Sequence, residues 1–362
     1  MDVLRGHRQE VWRLALLPDN RTLVSGCKDG TVCVWDTSIT HPRPQSITWS
    51  DRIADWRFTP DGHSVVTLNH EGRLMRSYGV GFQEKEALLE IGSMANKLAN
   101  WGNSLLRPYL LSPEGRFLAC GSTNGAITVW DVSRRSVWRE FKPGEGQATP
   151  LGFLARGSRL ICHTSTENHL SEWDLETNRE VQTWPAPALI AAFALSPDER
   201  MGIAAGWSGG VVGRDLPANT TTELSLDALE GFSVAFSADG KLLAIPSALG
   251  FARVWDTATW RQEATLSGFL NSVNAVAFSP NGRRLATGGS NPDDALRLWD
   301  VDSWQELLTL KGEGSVHIST AFSPDGNSIG VMSRDGFLHV WQAPTWEEIN
   351  AAEAKERTAD EQ

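Results

Sequence analysis

Residues 272–300 read SVNAVAFSPNGRRLATGGSNPDDALRLWD, and this stretch decides the fold. Ser272–Phe278 and Arg284–Gly288 are apolar runs of strand length, joined by Ser279-Pro280-Asn281-Gly282. Proline presets φ and glycine accepts φ > 0, so this tetrapeptide is a turn with a mechanism. A longer turn at Asn291–Asp294 leads to a third run, Ala295–Trp299, and Gln305–Leu310 supplies a fourth. The unit predicted is a four-stranded antiparallel meander, with strands a, b, c and d.

The unit repeats. Trp299-Asp300 has counterparts at Trp35-Asp36, Trp130-Asp131, Trp173-Asp174 and Trp255-Asp256, with decayed copies at Arg76-Ser77, Arg214-Asp215 and Trp341-Gln342. The turn recurs as Thr59–Gly62, Ser112–Gly115, Ser196–Glu199, Ser237–Gly240 and Ser323–Gly326. Most copies are 41 to 44 residues apart, and one step, from Arg76 to Trp130, is 54. A period of 40–45 residues with short β-runs predicts an all-β propeller. A lone blade would expose both faces, so blades must stack into a closed ring. Eight strand-c markers predict eight blades; seven is the alternative, should the divergent second repeat fail to form one. Asp2–His7 matches the strand-d segments Ala264–Phe269 and Leu308–Glu313, so residues 2–6 are expected to close the ring. The expected organisation is one propeller over 1–345 and an acidic helical or disordered tail over 346–362, with Thr345 and Glu348 as a capping box. Residues 92–105 read as an inserted loop.

Composition narrows the function classes. With 33 basic and 44 acidic residues, net charge −11 and no basic run, the chain lacks the cationic face that nucleic-acid binding requires. No leader opens it and no apolar run reaches 18 residues, so a cytoplasmic protein without membrane attachment is expected. Cys27, Cys33, Cys120 and Cys162 lie in apolar runs and read as small core residues of a reducing compartment. The cysteines form no CxxC and the eight histidines no HxxxH or HxH, so neither metal nor cofactor is expected. Gly206-Trp207-Ser208-Gly209-Gly210 fits the G-x-S-x-G of a nucleophile elbow, but that motif needs a strand-to-helix turn. Here it aligns with a strand–turn–strand hairpin, so Ser208 reads as structural.

The Trp-Asp pairs at this period resemble the WD-repeat family, and the resemblance covers residues 1–346. It implies that His7, Ser25, Asp29 and Trp35 form a hydrogen-bonded structural set in the first repeat. It also implies packing roles for Trp130, Trp173, Trp255, Trp299 and Trp341. In the family, partner contacts recur beside the first apolar position of strand a and seven residues before the strand-c Trp. Those positions here are Glu10, Trp12, Lys28, Arg52, Arg107, Trp207, Glu230, Phe232, Asn274 and Arg334. The F-S-P-D-G wording is similar to WD-repeat regions of bacterial proteins, often fused to serine/threonine kinase or other signalling domains. No kinase motif stands in this chain. The resemblance therefore implies a monomeric, noncatalytic scaffold for a protein or peptide partner in signalling. The competing expectation is a hydrolase or lactonase using the channel, which would need several His, Asp or Glu on different strands a.

Overall fold

The computed structural model describes residues 11–16, 22–27, 32–36, 45–49, 52–79, 82–91, 108–187, 189–207, 209–224 and 233–343, those before residue 47 as backbone only. The chain divides into two compact units, 46–341 and 1–45 with 342–362. In the smaller unit Val11–Leu16 (β1), Thr22–Cys27 (β2) and Val32–Asp36 (β3) form a three-stranded sheet in that order. The larger unit is a seven-bladed propeller. Blades 1 to 6 span 53–90, 109–141, 148–185, 190–224, 235–266 and 273–310, each a four-stranded antiparallel meander. Blade 7 takes strands a to c from His317–Phe322, Ser328–Ser333 and Leu338–Gln342, and its fourth strand from Gln45–Trp49 (β4).

This corrects two expectations: there are seven blades, not eight, and β4 rather than residues 2–6 completes the last one. The reason is chain continuity. Every strand d leads directly into strand a of the following blade, and β4 runs into Ile53 of blade 1, so it belongs to the blade behind blade 1. In a ring of seven that is blade 7. Among the described residues the first repeat has a three-stranded sheet. Residues 2–6, the 92–105 insertion and the 346–362 tail lie outside the described residues.

Seven apolar clusters fill the seven interfaces between neighbouring blades. The closing one joins Met332, Leu338 and Val340 of blade 7 to Ile53, Trp56 and Phe58 of blade 1. The strand-c tryptophans of blades 5 to 7 face the preceding blade: Trp255 packs on blade 4, Trp299 on blade 5 and Trp341 on blade 6. Trp130 and Trp173 pack in the same direction but stay partly exposed. Where blade 4 has Arg214 instead, the guanidinium reaches back to Gln182 Oε1 at 3.1 Å and lies 5.4 Å from the Trp184 ring centroid.

The aspartate of each Trp-Asp pair has a local task. Asp174, Asp256 and Asp300 accept the backbone N–H and the hydroxyl of Thr177, Thr259 and Ser303, pinning the c–d turn. The a–b turns work likewise: Ser237 Oγ donates to Asp239 at 2.7 Å and accepts Leu242 N–H at 2.9 Å. Their fourth residue needs positive φ, supplied by Gly240 at 73° and Gly282 at 70°. Glu199 takes that conformation at 55°, and its carboxylate accepts the Ala155 N–H of blade 3 at 2.8 Å. Glycine could not make that bond between blades. Among the described residues no helix is long and apolar enough to cross a membrane.

Candidate functional site

Strand a of every blade lines the axis, and a cavity of about 790 Å³ runs along it, walled by Trp56, Leu110, Pro150, Ala192, Val234, Val276 and Thr320 among others. Among the described residues, its acidic and basic lining residues are Asp55, Arg57 and His70 of blade 1 and Arg334 of blade 7, with burial and the Arg52 charge holding His70 below the ordinary histidine value. Blade 1 differs because its strand a reads IADWRF, where period-2 alternation puts Asp55 and Arg57 on one side and Trp56 on the other. Burial lowers the Arg57 pKa, and the carboxylates of Asp55 and Glu114 partly offset this. Burial, with smaller contributions from Cys120 and Asp55, pushes the phenol of Tyr109 up. These charges were visible in the sequence as two polar residues inside an apolar strand.

The face carrying the d–a and b–c loops shows a second feature. Among the described residues its large exposed apolar side chains are Leu189 (72% exposed), Leu249 (67%) and Leu270 (82%). Leu189 lies before strand a of blade 4, and its carbonyl accepts the N–H of Trp207 from the b–c turn of that blade at 2.8 Å. The backbone segments that carry Leu249 and Leu270 also approach each other. Leu249 sits in the b–c turn of blade 5, where a Cβ on Gly250 would lie 3.0 Å from the Asn271 carbonyl and 3.2 Å from that of Phe269. Sequence reading missed all three leucines, since a lone Leu in a turn carries no periodic signal. The other exposed large apolar residues, Val137, Val181, Leu307 and Leu308, are on outer strands d.

Of the residues expected to contact a partner, Arg52 and Arg334 are exposed and Trp207 is half-buried on this face. Asn274 is not on the surface: it is 1% exposed and donates to Ser290 Oγ at 2.7 Å, which removes it from the set. Glu10, Lys28, Arg107, Glu230 and Phe232 lie outside the described residues, as do His7 and Asp29 of the expected structural set. Trp12, Ser25 and Trp35 fall on β1, β2 and β3, described as backbone only. Ser208 is also outside, but its neighbours form the b–c turn between Met201–Gly206 and Val211–Asp215, two strands with no helix following. A nucleophile elbow cannot form there. Asp294 is engaged in an ion pair with Arg297 at 2.9 Å, and no group of three or more metal-ligating side chains occurs among the described residues.

Comparison with known proteins agrees with this architecture. Residues 1–36, 105–131, 260–300 and 304–342 match the model of the WD domain, G-beta repeat. The chain is 26% identical over 267 residues to mouse guanine nucleotide-binding protein subunit beta-like protein 1, covering 67% of this chain and 76% of that one. It is 23% identical over 322 residues to the WD repeat-containing protein 26 homolog of Arabidopsis thaliana, covering 82% of this chain and 49% of the relative. It is also 23% identical over 298 residues to eukaryotic translation initiation factor 3 subunit I of Drosophila grimshawi, covering 79% of each. The matched segments are WD repeats, and the described four-stranded blades form a β-propeller.

Proposed function

We propose that the propeller is a noncatalytic scaffold whose d–a and b–c loop face holds a protein or peptide partner in a signalling or regulatory assembly. The observation that carries this reading is the placement of Leu189, Leu249 and Leu270, with Trp207, on one face of the ring. A soluble ring has no folding reason to expose three leucines there, whereas an interface gains from apolar anchors near its centre. One relative is, by name, a subunit of an initiation factor, and another is named as resembling a guanine nucleotide-binding protein beta subunit, which supports the reading. An enzyme using the channel finds less support, because Asp55, Arg57 and His70 all come from one blade.

The test is capture of cellular partners by wild type and by Trp207→Ala/Leu270→Ser, with folding checked by circular dichroism. Loss of an anchor should weaken binding by about 2 kcal/mol, roughly thirtyfold. If the folded double variant retains every partner, the loop face is not the docking surface.

A further inference from the structure

Three basic residues from two blades are drawn to one sector of the channel mouth by backbone hydrogen bonds. Ile53 N–H donates to the Gly336 carbonyl of blade 7 at 2.9 Å, and His70 N–H donates to the Arg52 carbonyl at 3.1 Å. The fit is close, since a Cβ on Gly336 would stand 2.8 Å from the Arg52 Cα. Arg52 is thus held between the b–c turns that carry Arg334 and His70. Its own backbone is left-handed, at φ 53°, a region where glycine would be less strained.

Neither Arg52 nor Arg334 makes an ion pair among the described residues. The nearby Asp335 accepts both the N–H and the hydroxyl of Ser315 at 2.8 Å, and the Arg334 charge also helps to keep its carboxylate ionised. Two exposed guanidinium groups against the single adjoining carboxylate of Asp335, on a chain of net charge −11, make a local site for an anion. Across the channel the lining is apolar: Ala191, Ala192, Phe193, Val234 and Val276.

We infer that this mouth binds a carboxylate on a peptide, with Arg52 and Arg334 on the carboxylate and an adjoining apolar residue directed into the channel against blades 4 to 6. The carboxylate is either a Glu or Asp side chain or a free C-terminus; both present the same forked acceptor to the arginines. This rests on the scaffold reading and specifies the partner's chemistry.

The experiment uses pentapeptide pools randomised over Leu, Ile, Val and Phe. One pool carries an internal Glu with a blocked terminus and one a free C-terminal carboxylate. Two further blocked pools carry Gln or Lys in place of Glu. At least one carboxylate pool should bind ten times or more above the Gln and Lys pools, and which one does so distinguishes the sources. Arg52→Gly/Arg334→Gln should abolish that preference while the melting temperature holds or rises, because glycine relieves the left-handed backbone at position 52. A merely structural Arg52 would lower it. The inference is overturned if no pool binds, if Gln or Lys pools bind equally, or if the double variant keeps the preference. Should the double variant also keep every cellular partner that Trp207→Ala/Leu270→Ser loses, the scaffold stands and the carboxylate site falls.

Discussion

The indole of Trp56 occupies the space that a Cβ on Gly330 would need. Trp56 is in strand a of blade 1 and Gly330 in strand b of blade 7, so this contact is the seam where the ring closes. Gly330→Ala should overpack the seam and cost about 1–3 kcal/mol. The measurement is the urea midpoint; an unchanged midpoint would mean that the seam adapts and does not set the blade count.

Closure by β4 makes a second prediction. A chain starting at residue 45 should keep the seven-bladed unit and melt in one cooperative transition. Starting at residue 50 should remove the fourth strand of blade 7, expose an edge and lower the melting temperature sharply. Equal melting of the two would count against β4 as the closing strand.

Trp299 donates its indole N–H to Thr287 Oγ1 at 2.9 Å. The register that pairs Leu285 with Trp299 also pairs Leu160 with Trp173, which puts Cys162 where blade 6 has Thr287. The Trp173 indole N–H is accordingly buried without a partner. Cys162→Ser should supply an acceptor and stabilise by about 1 kcal/mol, and Thr287→Val should destabilise by about 1–3 kcal/mol. Chemical denaturation of both variants checks the pair. A destabilised Cys162→Ser would show that the indole does not reach the hydroxyl.

Stability should also depend on pH in a stated direction. Burial pushes the imidazoles of His163, His317 and His339 below the ordinary histidine value. An unfolded chain takes up these protons near pH 6.5, before the folded chain does, so stability is complete above that pH and declines below it. A further decline should follow below about pH 4. There the turn carboxylates Asp198 and Asp239, whose pKa values are lowered by the hydroxyls of Ser196 and Ser237, take up protons. His317 Nδ1 bonds the Gly289 carbonyl of blade 6 at 2.8 Å, so His317→Gln should lower stability at pH 7.5 but flatten its slope between 7.5 and 5.5. Melting curves across that range decide it, and an unchanged slope would remove His317 as a contributor.

Much of the fold was legible in the chain because the signals are local. Ser-Pro-Asn-Gly turns its strands by its own φ preferences, and the aspartate of Trp-Asp bonds residues two or three positions on, whatever the rest of the molecule does. Strand order within a blade follows from short antiparallel connections. Arg52, Trp207 and Arg334 could be placed in the loops from the sequence because they hold register with those local markers. What tertiary structure alone decided is who pairs with whom over long distance. Residues 45–49 have a strand sequence that could end the first repeat or blade 7, and closing the seam around Trp56 and Gly330 assigns them to blade 7. Asn274 holds the same register position as surface residues, yet a hydrogen bond to Ser290 turns it inward. Arg52 and Arg334 are nearly three hundred residues apart in sequence, and only the closed ring brings their charges to one mouth.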